Sequence, residues 1–560
     1  MTAAAVAPTA GRTATGGRIL VDALRAQGVD RIHCVPGESY LAVLDALHDT
    51  PEIEVINSRH EGAAGNMAEA DGKLTGRPGI CFVTRGPGAT HAAVGVHTAC
   101  QDSTPMILFI GQVARGARDR EGFQEVDLRA MFAPLAKWAA EIDDAARIPE
   151  YVARAFQTAV SGRPGPVVLS LPEDMLAQSV PAPAQARAAV PAAAAPRATD
   201  LDALTHLLEQ SARPLLVVGG TGWSDAACLA LREFAATNAL PLVASFRRQD
   251  LIDNRHPNYC GHLGLGVDLQ LAERLKSSDL VVAIGSRLGE NTTSGYTLLT
   301  PPLARQRLVH VHPDPDEPGR VYQPQLAIAC PLAEFALALS GRRVAGAERR
   351  EAWLREARAA YVNFSSPPTA AAGPYVDLAG VVGWLSDHVA DDAIVSNGAG
   401  NYTVWVHRYF RYRRPRTELA PVSGSMGYGV PAAIAAKLRF PQREVIAFAG
   451  DGCFLMYPQE LGTAVQHRAN LVVIVVNNGI YGTIRMHQER RYPGRVVATD
   501  LVDPDFIGLA QSFGAFAERV ETTAQFPAAY QRARAAARPA VLELRIDPAQ
   551  LTPGFRLPGR

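Results

Sequence analysis

The chain has 560 residues, 48% of them apolar and 20% charged, a soluble globular composition with material for roughly three to four buried cores. Acidic and basic side chains are equal in number, which excludes a general electrostatic attraction to nucleic acid or acidic membranes. No apolar run approaches the ~20 residues needed to cross a bilayer.

Residues 1–16 (MTAAAVAPTAGRTATG) lack a basic segment leading into an apolar core, so they read as a flexible arm and not a signal peptide. The seven cysteines are scattered and contain no CxxC pair, which suits a reducing, cytoplasmic setting. A first α/β unit is expected over 17–177. It opens with an amphipathic helix from Arg18, the strand Arg31–Val35 and the turn Pro36-Gly37-Glu38-Ser39-Tyr40. A helix (Leu41–Leu47), a strand (Ile53–Asn57) and an Ala/Gly-rich helix from Glu61 follow, then strands at Gly79–Thr84, Met106–Gly111 and Gly165–Leu171. The Pro/Ala-rich stretch 178–200 reads as a linker. A second unit over 201–341 carries strands at Pro214–Val218, Leu280–Gly285 and Leu308–His312. Residues 342–374 read as a second linker, with a charged, exposed helix in 342–360. A third unit spans 375–550 and ends on the strand Pro539–Ile546, leaving 551–560 as a tail. Val/Ile/Leu runs without polar alternation suit parallel strands covered on both faces. The expected fold class is therefore α/β, with three doubly wound parallel-sheet domains.

The most informative stretch is VIAFAGDGCFLMYPQELGTAVQHRANLVVIVVNN (445–478). Two apolar runs flank a helix-compatible segment, so this is a β-α-β unit with a right-handed crossover. The first strand ends on Gly450-Asp451-Gly452 and the next on Asn477-Asn478. Ligands of such sheets sit beyond the carboxyl ends of the strands, where Asp451 and Asn478 would converge. Two hard oxygen donors suit Mg²⁺ completed by water and phosphate oxygens. Gly450 and Gly452 let the backbone turn and let a phosphate approach the following amides. The pattern reads as a Mg²⁺-diphosphate anchor.

In this order and spacing, GDG and NN match the thiamine diphosphate (ThDP) signature. SRHEGAAGNMAEADG (58–72), FVTRGPGATHAAVGVHTACQDSTPMILFIGQV (82–113), GFQEVDLRAMFAPLAKW (122–138), GRPGPVVLSLPEDM (162–175), GSMGYGVPAAIAA (424–436) and GDGCFLMYPQEL (450–461) extend the match. Together they resemble the ThDP-dependent acetohydroxyacid synthase (acetolactate synthase) and 2-oxo acid decarboxylase superfamily, across nearly the whole chain after the arm. The resemblance implies pyrimidine-binding, middle and diphosphate-binding domains in that order. It implies that Glu61 activates the cofactor by a hydrogen bond to N1′ of the aminopyrimidine. It gives Met426 as the apolar prop beneath the cofactor, the Gly424 backbone beside the 4′-amino group, and Gly400, Asn401 and Tyr402 beside the diphosphate. Asp451, Asn478 and the Ile480 carbonyl become the Mg²⁺ ligands. Phe123 and Gln124 match a synthase pair placed near the reacting carbon of a neighbouring site.

Several residues depart from the synthase pattern. Glu38 follows Pro-Gly where synthases carry a small residue, and so resembles the decarboxylases. A carboxylate left ionised and unpaired beside an apolar ring would cost several kcal/mol, which points to a proton-donor role. Arg287-Leu288-Gly289-Glu290-Asn291 replaces the synthase run that meets substrate and flavin, His487 replaces the acceptor-pocket tryptophan, and the decarboxylases' His-His pair is absent. In the middle unit, GGTG (219–222) lacks the full dinucleotide fingerprint. FAD, ADP or coenzyme A there is possible but unsupported, and a purely structural turn is the favoured reading.

These features lead to the expectation of a carboligase that decarboxylates a 2-oxo acid and ligates the resulting enamine to a second carbonyl, as in acetolactate synthesis. The minimal active unit would be a homodimer and the expected assembly a homotetramer. Alternatives are a non-oxidative decarboxylase releasing an aldehyde, a lyase acting on a 2-hydroxyacyl or oxalyl thioester, and a silent nucleotide-binding homologue. Retention of Glu61, Asp451 and Asn478 argues against the last.

Overall fold

The computed structural model describes residues 13–186, 192–368 and 373–557. Residues 1–12 of the expected arm, 187–191 and 369–372 of the two expected linkers, and 558–560 of the tail lie outside the described residues.

Three six-stranded sheets, each wholly parallel, carry the fold. Their central strands are buried along their whole length, as in Met106–Gln112, Leu280–Ile284 and Val472–Asn477. Apolar runs of this kind need helices on both faces of a sheet. The chain divides into two compact units. One holds the N-terminal sheet with the short segments Ile434–Arg439 and Tyr457–His467, and the other holds the middle and C-terminal sheets.

In the N-terminal sheet the strands run in the order Glu54–Asn57, Arg31–Cys34, Gly79–Val83, Met106–Gln112, Pro166–Pro172 and Trp138–Glu141. The C-terminal sheet repeats that order with Glu418–Leu419, Ile394–Asn397, Val445–Gly450, Val472–Asn477, Ala540–Arg545 and Phe516–Val520. The middle sheet differs. Its first strand, Pro214–Val218, lies between Leu242–Ala244 and Leu280–Ile284, and the following strands add outward on each side. Each sheet therefore has a switch point beside its first strand, where successive crossovers leave in opposite directions and open a crevice.

Within the three six-stranded sheets, seven strands have no counterpart among those expected from the sequence: Trp138–Glu141, Leu242–Ala244, Tyr259–His262, Leu326–Ala329, Ile394–Asn397, Glu418–Leu419 and Phe516–Val520. Each is an edge strand or has no more than four residues, too short to show an apolar run. The expected flexible arm is ordered at its end, where Thr13–Thr15 pairs antiparallel with Ser179–Pro181 of the first expected linker and a helix starts at Gly16. The second expected linker contains the helix Ala347–Phe364. That helix is not simply exposed, because Arg350 is fully buried and donates to the carbonyls of Leu208, Asn238, Val344 and Ala345. The tail begins with a short hairpin, Gln550–Thr552 against Phe555–Arg556. Among the described residues no helix is long and apolar enough to cross a membrane.

Candidate active site

At the switch point of the C-terminal sheet the loops after Asn397 and Gly450 face one another across a cavity of about 250 Å³. Gly400, Asn401, Tyr402, Gly424, Met426, Gly450, Asp451, Gly452, Asn478 and Ile480 all line it, so one cavity gathers every cofactor-binding residue expected from the sequence. The Tyr402 hydroxyl accepts from the Gly398 N–H and donates to Cys453 Sγ, and that sulfur accepts from the Gly427 N–H. One buried thiol thus ties three loops together. Gly452 is required by close approach, since a Cβ there would lie 2.5 Å from the Tyr481 ring.

Asp451 is buried, and its carboxylate accepts from the backbone N–H groups of Gly452 (2.6 Å), Asn478 (3.0 Å) and Gly479 (2.8 Å). Burial pushes its carboxyl above the usual range, and these backbone donors pull it part-way back. The terminal atom of Asn478 that faces the cleft lies 3.2 Å from Asp451 Oδ2 and 3.0 Å from the Ile480 carbonyl oxygen. With nitrogen there, the amide donates to both. With oxygen there, it lies from each of the other two oxygens at close to the edge of an octahedral Mg²⁺ shell, about 2.9 Å for metal–oxygen bonds of 2.0–2.1 Å. The donor types fit that ion.

The N-terminal unit carries a second cluster at its own strand ends. Glu61 begins the helix Glu61–Thr75, and its Oε2 accepts from His91 Nδ1 at 2.9 Å. Gly88, in the first turn of the helix Pro87–Asp102, lies beside Glu61: a Cβ there would press on Thr84 Cγ2 at 2.9 Å and would reach ordinary contact with Glu61 Oε1 at 3.5 Å. Gly86 presses on Gln124, whose φ of 65° belongs to a tight loop, and the neighbouring Phe123 is 76% exposed. Glu38 opens the 3₁₀ turn Glu38–Tyr40 and is exposed.

Three segments match models of thiamine pyrophosphate (thiamine diphosphate) enzymes: the N-terminal TPP binding domain over 14–131, the central domain over 201–339 and the C-terminal TPP binding domain over 398–544. An acetolactate synthase large subunit of Parasynechococcus marenigrum is 34% identical, covering 90% of this chain and 83% of the relative. The Corynebacterium glutamicum large subunit is 31% identical over 96% and 88% of the two chains. The large subunit of Escherichia coli acetolactate synthase isozyme 2 is 29% identical over 95% of each. The chain belongs to the thiamine pyrophosphate enzyme family. Its relatives by name are acetolactate synthase subunits.

Within this family member, sequence reasoning passed over several residues. His91 stands inside RGPGATH, yet its partner Glu61 is thirty residues away and only the fold brings the pair together. Thr483, in the stretch after Asn477-Asn478 that the sequence also assigns to the substrate pocket, donates to Asn401 Oδ1 at 2.9 Å and closes one rim of the cavity. Asp503, with a buried Oδ1 lacking a partner, is pushed up to about 6 by burial and by the nearby carboxylates of Asp451 and Glu543. No sequence motif marks it. His487 is exposed on the helix Gly482–Arg491, whereas Thr483 and Ile484 line the cavity.

The glycine turn of the middle sheet is used for packing. A Cβ on Gly220 would lie 2.4 Å from the Gly285 carbonyl oxygen, and one on Gly285 would lie 2.4 Å from that of Gly219. The Gly219 N–H donates to the Ile284 carbonyl, and its own carbonyl accepts from Trp223 Nε1. Both backbone groups of Gly219 are thereby satisfied, one by the neighbouring strand and one by the Trp223 indole.

Proposed function

We propose that this enzyme uses thiamine diphosphate and Mg²⁺ to decarboxylate a 2-oxo acid and join the remaining acyl fragment to a second carbonyl, as its acetolactate synthase relatives are named for doing. The observation that carries the reading is the meeting of Asp451, Asn478 and the Ile480 carbonyl in the cavity lined by Gly424 and Met426. Bound there, the cofactor would supply a carbon nucleophile and an electron sink for the departing CO₂. Asp451, Asn478 and Ile480 would hold the cation that neutralises the diphosphate. Gly400, Asn401 and Tyr402 would flank that group, and Met426 would support the rings.

Glu61 would reach the aminopyrimidine of a cofactor held by a second copy of the chain, making a homodimer the smallest active form and a homotetramer the proposed assembly. A cytoplasmic location accompanies this reading.

Glu38 favours a second reading, in which the acyl fragment is protonated and leaves as an aldehyde. Incubation with pyruvate, ThDP and Mg²⁺, with a panel of small 2-oxo acids in parallel, separates the two. Acetolactate or its homologues are the expected products. Aldehyde as the sole product overturns the carboligase reading in favour of the decarboxylase.

A further inference from the structure

Helices Glu61–Thr75 and Pro87–Asp102 cross where two glycines touch. A Cβ on Gly95 would lie 2.6 Å from Gly65 Cα, and one on Gly65 would lie 3.2 Å from Gly95 Cα. Residues four apart share a helix face. One turn toward the N-terminus from each glycine therefore sets Glu61 opposite His91, and their side chains meet at 2.9 Å. An ionised carboxylate only accepts, so the hydrogen of this contact is on His91 Nδ1.

His60 keeps the second imidazole in place. Its Nδ1 accepts from the Gly62 N–H at 3.0 Å, and its ring stacks on His91 at 4.6 Å between centroids and packs on Tyr457 at 5.1 Å. Ligating atoms of His60, Glu61 and His91 lie within 4.8 Å of one another, close enough to suggest a metal site. The tautomers argue otherwise. A neutral His60 accepts at Nδ1 from the Gly62 N–H and so carries its hydrogen on Nε2, and His91 Nδ1 is taken up by Glu61, so one nitrogen of each ring is already engaged within the protein.

We propose that His91 is a positioning residue for Glu61: by holding Oε2 it fixes the carboxylate so that Oε1, on the Gly88 side, is the oxygen offered to the aminopyrimidine. This rests on the reading of Glu61 given under the proposed function. A carboxylate tethered by one charge-assisted hydrogen bond presents its other oxygen in a defined direction, whereas an untethered one samples several rotamers.

The test measures hydrogen–deuterium exchange at C2 of enzyme-bound ThDP, and separately ThDP affinity, in His91→Ala, His91→Asn, Glu61→Gln and the His91→Ala/Glu61→Gln double variant. His91→Ala is expected to slow exchange roughly ten- to a hundredfold, the range for losing a hydrogen bond to a charged group, with affinity within about threefold. His91→Asn, whose amide donates to the same oxygen, is expected to recover most of the rate. In the Glu61→Gln background, His91→Ala is expected to add nothing. Histidine nitrogen NMR on the cofactor-free chain is expected to show the His91 hydrogen on Nδ1. Wild-type exchange in His91→Ala, an undiminished further loss in the double variant, or a hydrogen found on Nε2 alone overturns the role of His91. Wild-type exchange in Glu61→Gln overturns the reading beneath it as well.

Discussion

Two strand-end turns in the same unit, Gly450-Asp451-Gly452 and Gly219-Gly220-Thr221-Gly222, share a glycine-rich composition and use it in different ways. In the C-terminal sheet the small residues open space around a buried carboxylate whose neighbours are the Asn478 amide and the Ile480 carbonyl. In the middle sheet the glycines let two strand ends touch, and Val218 and Gly285 form an isolated bridge. Glycine at a strand end is therefore ambiguous by itself. What separates the two turns is whether the backbone borders an open cavity, as at 450–452, or abuts a neighbouring strand end, as at 219–220.

The largest effect is expected for Asp451→Ala. ThDP with Mg²⁺ at a hundred times its dissociation constant should stabilise the wild-type chain by roughly 2.7 kcal/mol. In the variant that gain and the turnover should both disappear, as read by thermal unfolding with and without cofactor. FAD, ADP or coenzyme A in comparable excess should stabilise neither chain, and a clear shift with any of them would return the middle turn to the class of ligand sites. Gly285→Ala probes the other side. Its φ of 74° and the 2.4 Å approach to the Gly219 carbonyl combine left-handed strain with overpacking, together roughly 2–4 kcal/mol. Denaturant midpoints should fall accordingly while the cofactor-induced stabilisation persists.

The C-terminal turn was legible in the sequence because its chemistry is local. Asp451 and Asn478 end consecutive strands of one β-α-β unit, so strand order alone brings them side by side. The long apolar strands were legible for the same reason. Residues whose partners come from distant segments were not. Asp250 reads as one charge in FRRQDLIDN, yet it is buried at the seam of the middle and C-terminal sheets, where its Oδ2 accepts from Thr417 N–H and Glu418 N–H. Gln249 beside it bonds Glu418 Oε2, His262 and His407. Burial dominates over pattern there, and no period or motif announces it.

That seam extends the comparison from glycines to polar side chains, because the middle sheet uses its charged strand-end residues for domain packing. Burial first, and the nearby Glu418 carboxylate second, push the Asp250 carboxyl up to about 6 from 3.8. With the folded value above the unfolded one, its contribution to stability is complete below about pH 4. It is lost as pH rises through about 6, by up to roughly 3 kcal/mol. Asp250→Asn keeps an oxygen for the two backbone donors and removes the ionisation. Its unfolding free energy should therefore lack this decline between pH 4 and 6 and exceed the wild-type value at pH 7. Parallel pH profiles of the two chains would show that seam charge plays no part in stability.

The smallest effect is expected at Gly222, the exposed last glycine of the middle turn. Its φ is 84°, and a Cβ built there meets nothing within 4 Å. Alanine should therefore cost only the left-handed conformation, about 1–2 kcal/mol, and leave cofactor binding untouched. Gly285→Ala adds a steric term to the same conformational one, so the gap between the two variants isolates what close approach contributes. Equal midpoints for Gly222→Ala and Gly285→Ala would mean that backbone conformation alone selects glycine in this turn, and the packing role assigned to it would fall.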